Sequence, residues 1–201
     1  MEKETFEFFE EWLPLEKYHF KILTVITILA DNQRAYRGTL KQFCAELNIG
    51  TSSVNQQKIC GALTYLAEKE YIQLIKDDNI YTVSLAKAAE KSKNIIKIKK
   101  AWYTLIREYH TDKNNNCPTA WESLLQVFLL LLELKDNQIY TYKELGEKLN
   151  ISESTVSRCI RALKKIDFKD FAIDVQVVKE KAADGSFRTQ GTTYNQFIKF
   201  E

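Results

Sequence analysis

The chain has 201 residues and a mass of 23.5 kDa, which suits one domain or two domains of about 100 residues each. Its 45% apolar and 28% charged content is ordinary for a folded, soluble protein, and a content of only six glycines and two prolines leaves little room for a loop-rich all-β fold. The net charge of +2 excludes a case for nucleic-acid binding based on bulk charge, so any such case must come from local patches.

Targeting, membrane and disulfide signals are all weak. The N-terminus is acidic and lacks the basic region of a signal peptide. The longest apolar stretches, 22–30 and 124–132, are about half of the roughly 20 residues that a membrane span needs. The four cysteines are widely spaced and have no neighbouring histidine, which favours reduced, mostly buried thiols: Cys44, Cys60, Cys117 and Cys159. We expect a cytoplasmic protein without a metal site.

The N-terminal half predicts helices followed by a hairpin. Residues 5–13 are aromatic and acidic and suggest a short helix that packs on the body of the chain or on a second subunit. An apolar helix over 15–31 and a polar turn over 31–38 follow. Thr39 caps a second helix, 48–50 forms a turn, and 51–53 caps a third helix that ends near Glu70. Alternating residues over 71–85 then predict a β-hairpin with an acidic turn at 77–79.

The middle of the chain is basic. Residues 87–116 carry eight basic and three acidic side chains, whereas 1–86 have a net charge of −3 and 117–201 are neutral. We interpret 87–107 as a helix that either connects two domains, with a lysine-rich solvent face, or runs along DNA. The polar stretch 112–118 is the candidate boundary loop. The expected division is therefore 1–86, 87–116 and 117–201.

The C-terminal half repeats the order of the first. An apolar helix over 121–134 precedes a turn at 136–138, a helix over 142–149 capped by Thr141, and a turn at 150–152. A further helix begins at 154–155 and ends near Ile166. Strands at 173–179 and 192–200 then flank a loop over 180–191 that contains Asp184-Gly185.

A comparison of the two halves at an offset of 102 residues gives seven identities in sixteen positions. These pairs are Thr39/Thr141, Lys41/Lys143, Leu47/Leu149, Asn48/Asn150, Ile49/Ile151, Ser52/Ser154 and Val54/Val156. After Val54 the offset shifts, because Ala62-Leu63 matches Ala162-Leu163. The pattern favours an internal duplication over convergence on a common fold.

The segment 141–165 carries a helix-turn-helix pattern, and 149–164 resembles the winged helix-turn-helix of bacterial regulators and of plasmid and phage replication proteins. The stretch 188–194 is similar to the Arg/Gly/Thr-rich wing of such proteins. The resemblance implies a mainly α fold with small β-hairpin wings (α+β), in two winged helix-turn-helix domains in tandem. It also implies DNA binding, in replication initiation, transcriptional regulation or partition.

The candidate DNA-contacting residues of the C-terminal half are small hydroxyl side chains followed by cations. Ser154, Thr155 and Ser157 are expected at the floor of the major groove. Arg158 would bond a guanine edge or a phosphate, and a bidentate Arg–guanine pair gives about 1–3 kcal/mol of base discrimination. The remaining candidates would contact the DNA backbone: Arg161, Lys164 and Lys165 in the helix, and Lys179, Lys181 and Arg188 in the wing. The alternative is a solvated cationic face and a plain surface hairpin.

The N-terminal half departs from this pattern. Five side chains have types that suit base or phosphate contact: Thr51, Ser53, Asn55, Gln56 and Lys58. Its expected wing, however, has the acidic tip Asp77-Asp78-Asn79. The N-terminal helix-turn-helix therefore either contacts bases or serves packing and dimerisation.

No motif for catalysis, a cofactor or a small-molecule ligand occurs in the sequence. We therefore expect a non-enzymatic protein that binds double-stranded DNA with a sequence preference, as a replication initiator or transcriptional regulator of a mobile element. Two DNA-contacting helices would cover about 20 base pairs without a homodimer. The alternative is a protein-interaction module whose partner is a replication or transcription protein.

Overall fold

The computed structural model of the chain describes residues 5–30, 35–86, 94–115, 117, 119–134, 138–169, 171–183 and 186–198. These residues form two compact units. Residues Phe6–Lys97 form the first, and the second consists mainly of residues from Ile98 onward. The units thus divide the chain inside the segment 87–116 that was predicted to connect two domains.

Among the described residues, the first unit contains three α-helices, three whole strands, and most of two further strands, over 5–9 and 95–99, which cross its boundaries. In chain order they are β1 (Thr5–Phe9), a short 3-10 helix (Glu10–Trp12), α1 (Lys17–Leu29), β2 (Ala35–Thr39), α2 (Leu40–Glu46), α3 (Ser53–Glu68), β3 (Ile72–Asp77), β4 (Ile80–Leu85) and β5 (Ile95–Lys99).

The hairpin β3–β4 and strand β2 form a three-stranded antiparallel sheet with β4 in the centre. Asp77 pairs with Ile80, so the hairpin turn has two residues. The first of them, Asp78, has a φ of 51°, which suits the positive-φ turns that match the twist of paired strands. The predicted hairpin over 71–85 is confirmed. The same unit contains α1, and residues 20–27 of this helix are buried.

Three predicted elements of the first half differ from the structure. Residues 5–9 form β1, paired with β5, and not the short helix predicted over 5–13. Residues 95–99 form that partner strand β5 and are not part of the predicted helix 87–107, whose residues 87–93 lie outside the described residues. Residues 35–39 form β2 where a polar turn over 31–38 was predicted; residues 31–34 also lie outside the described residues.

The alternation of buried and exposed side chains explains why residues 5–9 and 95–99 form the strands β1 and β5 of the two-stranded sheet. Phe6 and Phe8 are buried on either side of Glu7, and Ile96 and Ile98 are buried on either side of Lys97. This period of two is the signal of a strand, and the apolar content of both segments obscured it. Lys97 also forms a salt bridge of 3.3 Å with Glu7 across the pair.

The second unit contains α4 (Lys100–Thr111), a short 3-10 helix (Lys113–Asn115), α5 (Trp121–Glu133), α6 (Tyr142–Leu149), α7 (Glu153–Leu163), β6 (Phe171–Lys181) and β7 (Phe187–Ile198). The 3-10 helix lies in the predicted loop 112–118, of which Asn116 and Pro118 are outside the described residues. The predicted turn 136–138 lies almost entirely in the undescribed stretch 135–137.

Helix α4 is an integral part of the second unit. Trp102 packs against Phe171 and Phe128 at ring-centroid distances of 4.7 and 6.0 Å, and the Arg107 guanidinium lies 4.3 Å from the ring of Trp121. The outward positions of α4 carry no lysine: Ala101, Thr104, Glu108 and Thr111. The expected lysine-rich solvent face is therefore wrong for α4.

The hairpin β6–β7 is longer than the sequence predicted. Its strands are paired from Phe171–Ile198 to Lys181–Phe187, with an irregularity at Val178/Lys179, so most of the predicted loop 180–191 is strand. Asp184 and Gly185 of the predicted loop lie outside the described residues. On its other side, β7 forms a bridge from Thr192 to Tyr140, with two backbone hydrogen bonds of 2.8 Å. A side chain at Gly191 would lie 2.5 Å from Ile139 Cγ2, so glycine permits this close approach.

The structure is thus a mixed α/β fold with small antiparallel sheets, which is consistent with the expected winged-helix (α+β) fold and has more strand than that prediction gave it. In each unit a helix, an extended segment, two helices and a hairpin follow one another. In the described part of the chain, no helix has both the length and the apolar character to cross a membrane.

Candidate nucleic-acid interface

A capping box at the start of α6 fixes the first helix of the helix-turn-helix. The Thr141 hydroxyl accepts a hydrogen bond from the Glu144 backbone N–H at 3.1 Å. The Glu144 carboxylate in turn accepts bonds from the Thr141 backbone N–H at 2.7 Å and from its hydroxyl at 2.9 Å. These bonds favour the charged form and hold the pKa of Glu144 below its ordinary value.

The turn that follows is tight. Asn150 ends α6 in the left-handed conformation with a φ of 53°, a conformation that asparagine adopts more readily than most residues. The Ile151 N–H then donates to the Gly146 carbonyl at 3.0 Å. A Cβ at Gly146 would lie 2.7 Å from the Ile151 carbonyl oxygen, so glycine lets the turn lie directly on α6.

Ser152 caps α7, which begins at Glu153, whereas the helix was expected to begin at 154–155 after a turn over 150–152. Its hydroxyl accepts a hydrogen bond from the Thr155 backbone N–H at 3.3 Å, and it lies 2.8 Å from the Thr155 hydroxyl and 3.0 Å from that of Ser154. Ser152 and Gly146 are the residues of this site that the sequence interpretation missed. A serine followed directly by an acidic first-turn residue, Glu153, is the signal that could have identified the cap.

One side of α7 is buried and the other is exposed. The buried side packs in the second unit through Val156, Cys159, Ile160, Ala162 and Leu163. The opposite side carries residues at helical spacings of three, four and seven, which place them in one stripe along the helix, and Lys165 follows in the turn after α7. We call these residues the α7 stripe: Ser154, Ser157, Arg158, Arg161 and Lys165.

The structure brings five of the seven candidates of α7 and its C-terminal end into this stripe. Ser157 and Arg158 are half-buried, while Ser154, Arg161 and Lys165 are exposed. Lys164 is exposed beside the stripe at the end of α7. Thr155 lies on the other flank, half-buried, with its hydroxyl on Ser152.

Both arginines of the stripe are bonded to their own helix. Arg158 Nε donates to the Ser154 carbonyl at 3.1 Å, and Nη2 donates to the Thr155 hydroxyl at 3.4 Å. Arg161 has one such bond, from Nε to the Ser157 carbonyl at 3.4 Å. Arg158 is therefore held more firmly than Arg161.

The wing cations lie on both faces of the hairpin. Lys179 pairs with Thr189 and Lys181 pairs with Phe187, so the two lysines share one face of β6–β7. Arg188 pairs with position 180 and lies on the opposite face. Lys179, Lys181 and Arg188 are all exposed.

The helix-turn-helix of the first unit has similar helix caps and a similar left-handed asparagine, but its turn is longer. Thr39 and Gln42 form a capping box, and Asn48 has a φ of 53°. Ser52 caps α3 as Ser152 caps α7, which is an offset of 100 residues and not 102. The predicted pairings Ser52/Ser154 and Val54/Val156 are therefore wrong, because two extra residues lie in the turn. Burial agrees with this correction: Val54 is 57% exposed, whereas Val156 is fully buried.

The candidates in the first unit divide into two groups. Thr51, Ser53 and Lys58 are exposed. The other two bond the preceding turn: Asn55 Nδ2 donates to the Gly50 carbonyl at 2.7 Å, and Gln56 Nε2 donates to the Thr51 carbonyl at 2.8 Å.

The outward side of α3 differs from the α7 stripe in chemistry. With the corrected offset, the equivalent positions are Val54, Gln57, Lys58, Gly61 and Tyr65, which we call the α3 stripe. It has one cation where the α7 stripe has three. The nearby hairpin turn is acidic, since Asp77 and Asp78 are both exposed.

Two further features of the described residues bear on ligand binding, namely an apolar cavity and the lack of a metal-binding cluster. An apolar cavity of about 150 Å³ lies between α5, α7 and β6, with Lys164 as its charged lining residue. Within the described ranges, no group of histidine, cysteine, aspartate and glutamate side chains is arranged to hold a metal ion.

Comparison with known proteins agrees with the geometry of the second unit. Residues 127–168 match a family model described as winged helix-turn-helix DNA-binding. This segment begins inside α5, contains α6, the turn and α7, and ends at Phe168. No curated protein matches the chain. The chain therefore contains a winged helix-turn-helix DNA-binding domain at residues 127–168.

Proposed function

We propose that the chain is a tandem winged helix-turn-helix protein whose second unit binds double-stranded DNA with a sequence preference through the α7 stripe. The observation that carries this proposal is the stripe itself. Two cations and two small hydroxyl side chains occupy the outward side of a helix whose other side is core, and a third cation, Lys165, lies in the turn directly after it. A recognition helix needs short polar side chains near base edges and cations near phosphates.

The cations of the hairpin extend the same proposal. Exposed Lys179 and Lys181 lie on one face of β6–β7 and are suited to phosphate contact beside the groove that α7 occupies. Arg188 lies on the opposite face and would contact the sugar-phosphate backbone of DNA only if one DNA strand passes on each side of the hairpin.

Similar local frames support a tandem arrangement. Both helix-turn-helix segments begin with a threonine capping box, end their first helix near an asparagine with a φ of 53°, and cap the second helix with a serine. In each unit a hairpin follows.

A second function, protein binding, is favoured for the first unit. The α3 stripe contains Val54, Gly61 and Tyr65, and two of the proposed base-contacting side chains, Asn55 and Gln56, bond their own turn. An acidic hairpin tip at Asp77 and Asp78 would repel phosphate. We therefore propose that α3 contacts a protein and that α7 contacts DNA.

Within this proposal the protein is a non-enzymatic regulator or replication initiator that acts without a cofactor. The α7 stripe contains no nucleophile–base pair and consists of groups that form hydrogen bonds and ion pairs. Its action on a nucleic-acid process would follow from occupancy of a DNA site and from the partner of the first unit.

The test is duplex binding by the double variant Arg158→Ala with Arg161→Ala. We expect it to lose sequence-specific binding and to stay folded, since neither side chain belongs to the core. Wild-type affinity should fall steeply with salt, because each phosphate contact releases counterions. Fluorescence anisotropy on a duplex selected from a random library measures both effects.

The matched control is Lys69→Ala with Lys113→Ala, which removes the same charge from exposed positions that belong neither to α7 nor to the hairpin β6–β7. This control should bind DNA like the wild type. Equal binding by both double variants would contradict the assignment of α7 as the recognition helix.

A further inference from the structure

We propose that Arg158 recognises a guanine in the major groove and that Thr155 is a positioning residue, which holds the guanidinium through a hydroxyl chain that begins at Ser152. This inference rests on the proposed function. It assigns a base to one side chain and gives Thr155 a different role from the base contact that the sequence suggested.

The first step is the orientation of the Arg158 guanidinium. Its Nε bonds the Ser154 carbonyl and its Nη2 bonds the Thr155 hydroxyl, so the side of the guanidinium that carries these atoms faces its own helix. A guanidinium has five N–H donors in a planar fork, and this arrangement uses two. The end of the fork, with one hydrogen on each of Nη1 and Nη2, stays available. Two parallel donors match the O6 and N7 acceptors of guanine.

The second step is the hydroxyl chain. The Thr155 oxygen accepts a hydrogen bond from Arg158, so its own hydrogen is available for the Ser152 hydroxyl at 2.8 Å. The Ser152 oxygen also accepts from the Thr155 backbone N–H at 3.3 Å, and its hydrogen can bond the Ser154 hydroxyl at 3.0 Å. In this arrangement the Thr155 hydroxyl donates to Ser152 and the Ser152 hydroxyl donates to Ser154, so no two hydrogen bonds of the chain compete for one hydrogen. The helix cap and the arginine are therefore linked through Thr155.

The third step concerns guanine against phosphate, since a guanidinium fork suits both. Arg158 is half-buried in the middle of α7, one turn nearer than Arg161 to the N-terminal end, where residues of a recognition helix contact base edges. Arg161 is one turn further along, exposed, and held by a single bond of 3.4 Å. An arginine held at two points suits a base edge, whose direction is fixed, and a looser arginine suits a phosphate.

The described residues of the first unit lack this hydrogen-bonded arrangement of serine, threonine and arginine side chains. Its equivalent positions are Ser52, Asn55 and Lys58. The Asn55 amide bonds the Gly50 carbonyl, and a lysine ammonium is a point charge without a fork. Guanine recognition by a held guanidinium fork would therefore be confined to α7.

The experiment measures base discrimination with the full-length chain. A duplex selected by the wild-type protein is compared with duplexes in which each guanine in turn is replaced by adenine or by 7-deazaguanine, which lacks the N7 acceptor. At one guanine we expect the wild type to lose roughly 10- to 100-fold in affinity for either replacement. Arg158→Ala removes the donors and should bind all of these duplexes about equally, with a salt dependence weakened by about one phosphate equivalent at most.

Thr155 is tested with a pair of conservative variants. Thr155→Val keeps the shape and removes the hydroxyl, so discrimination at that guanine should fall several-fold. Thr155→Ser keeps the hydroxyl and should discriminate like the wild type. Lys58→Ala, at the position in α3 equivalent to Arg158, should leave discrimination unchanged.

The inference would be overturned by a selected site without a guanine that responds in this way, by an Arg158→Ala variant that still prefers guanine, or by a Thr155→Val variant that discriminates like the wild type. Equal losses in Thr155→Val and Thr155→Ser would show that Thr155 acts on packing and not through its hydroxyl. Absence of salt-dependent duplex binding by the wild type would overturn the proposed function as well. Specific binding that does not depend on Arg158 would overturn the guanine assignment alone.

Discussion

Two residues at equivalent positions, Glu144 and Gln42, cap their helices with different chemistry. Both side chains accept hydrogen bonds from the threonine that precedes the helix, at 2.7 Å from its backbone N–H. The carboxylate of Glu144 accepts these bonds better when it is charged, so its pKa is lowered in the folded protein. The Gln42 amide has no charge to lose. The two caps should therefore respond differently to acid.

We predict that the cap of α6 weakens at acidic pH. Because the folded-state pKa of Glu144 lies below its unfolded value of about 4.3, the stabilisation is complete above that value and is lost as pH falls through the folded pKa. The melting temperature of the wild type should therefore drop more between pH 5 and pH 3 than that of Glu144→Gln.

The reciprocal variant, Gln42→Glu, serves as the control for this prediction. It places a carboxylate in the capping box of α2 and should gain a similar acid sensitivity. If Glu144→Gln and the wild type show the same decrease in melting temperature, the carboxylate does not stabilise the cap.

At the scale of elements, the sequence predicted the helices well and the short strands poorly. Caps such as Thr39 and Thr141 and long apolar faces were visible as local signals. Strands β1 and β5 pair across more than 80 residues, and no local pattern indicates such a partner. In the same way, the residues of the α7 stripe were identified from spacing, while the bonds from Arg158 to its own helix depend on side-chain geometry.

The glycines of the helices give a prediction at this scale. Gly61 lies in the interior of α3, and a Cβ there would have no neighbour within 4 Å, whereas one at Gly146 would lie 2.7 Å from the Ile151 carbonyl oxygen. Gly61→Ala should stabilise the protein by about 0.5–1 kcal/mol because alanine favours helix. Gly146→Ala should destabilise it by about 1–3 kcal/mol through overpacking. Chemical denaturation of both variants measures the two effects.

The first unit supplies a natural comparison for Gly146. Cys44 is also four residues before the left-handed asparagine, and it also receives a backbone hydrogen bond, at 2.9 Å, from the residue after that asparagine. Its turn is two residues longer, which gives room for a side chain. A stable Gly146→Ala variant would mean that the short turn of the second unit can move away from α6.

At the scale of the whole molecule, the two units have similar frames and different outward surfaces. Residues 1–86 have a net charge of −3, and the α3 stripe has a single cation, Lys58. The α7 stripe has three cations, although residues 117–201 are neutral in total. Because phosphate contact depends on local cations and not on total charge, we expect DNA affinity to depend on the second unit.

Selection from a randomised duplex library tests this division between the units. We predict a single short motif, because one recognition helix of this type contacts one segment of major groove. The triple variant Thr51→Ala, Ser53→Ala and Lys58→Ala should select the same motif and lose less than about tenfold in affinity, since it removes one cation. The double variant Arg158→Ala with Arg161→Ala should select none. Two half-sites about one helical turn apart, with one lost in the triple variant, would instead show that α3 contacts bases, and the first unit would then be a second DNA-binding domain.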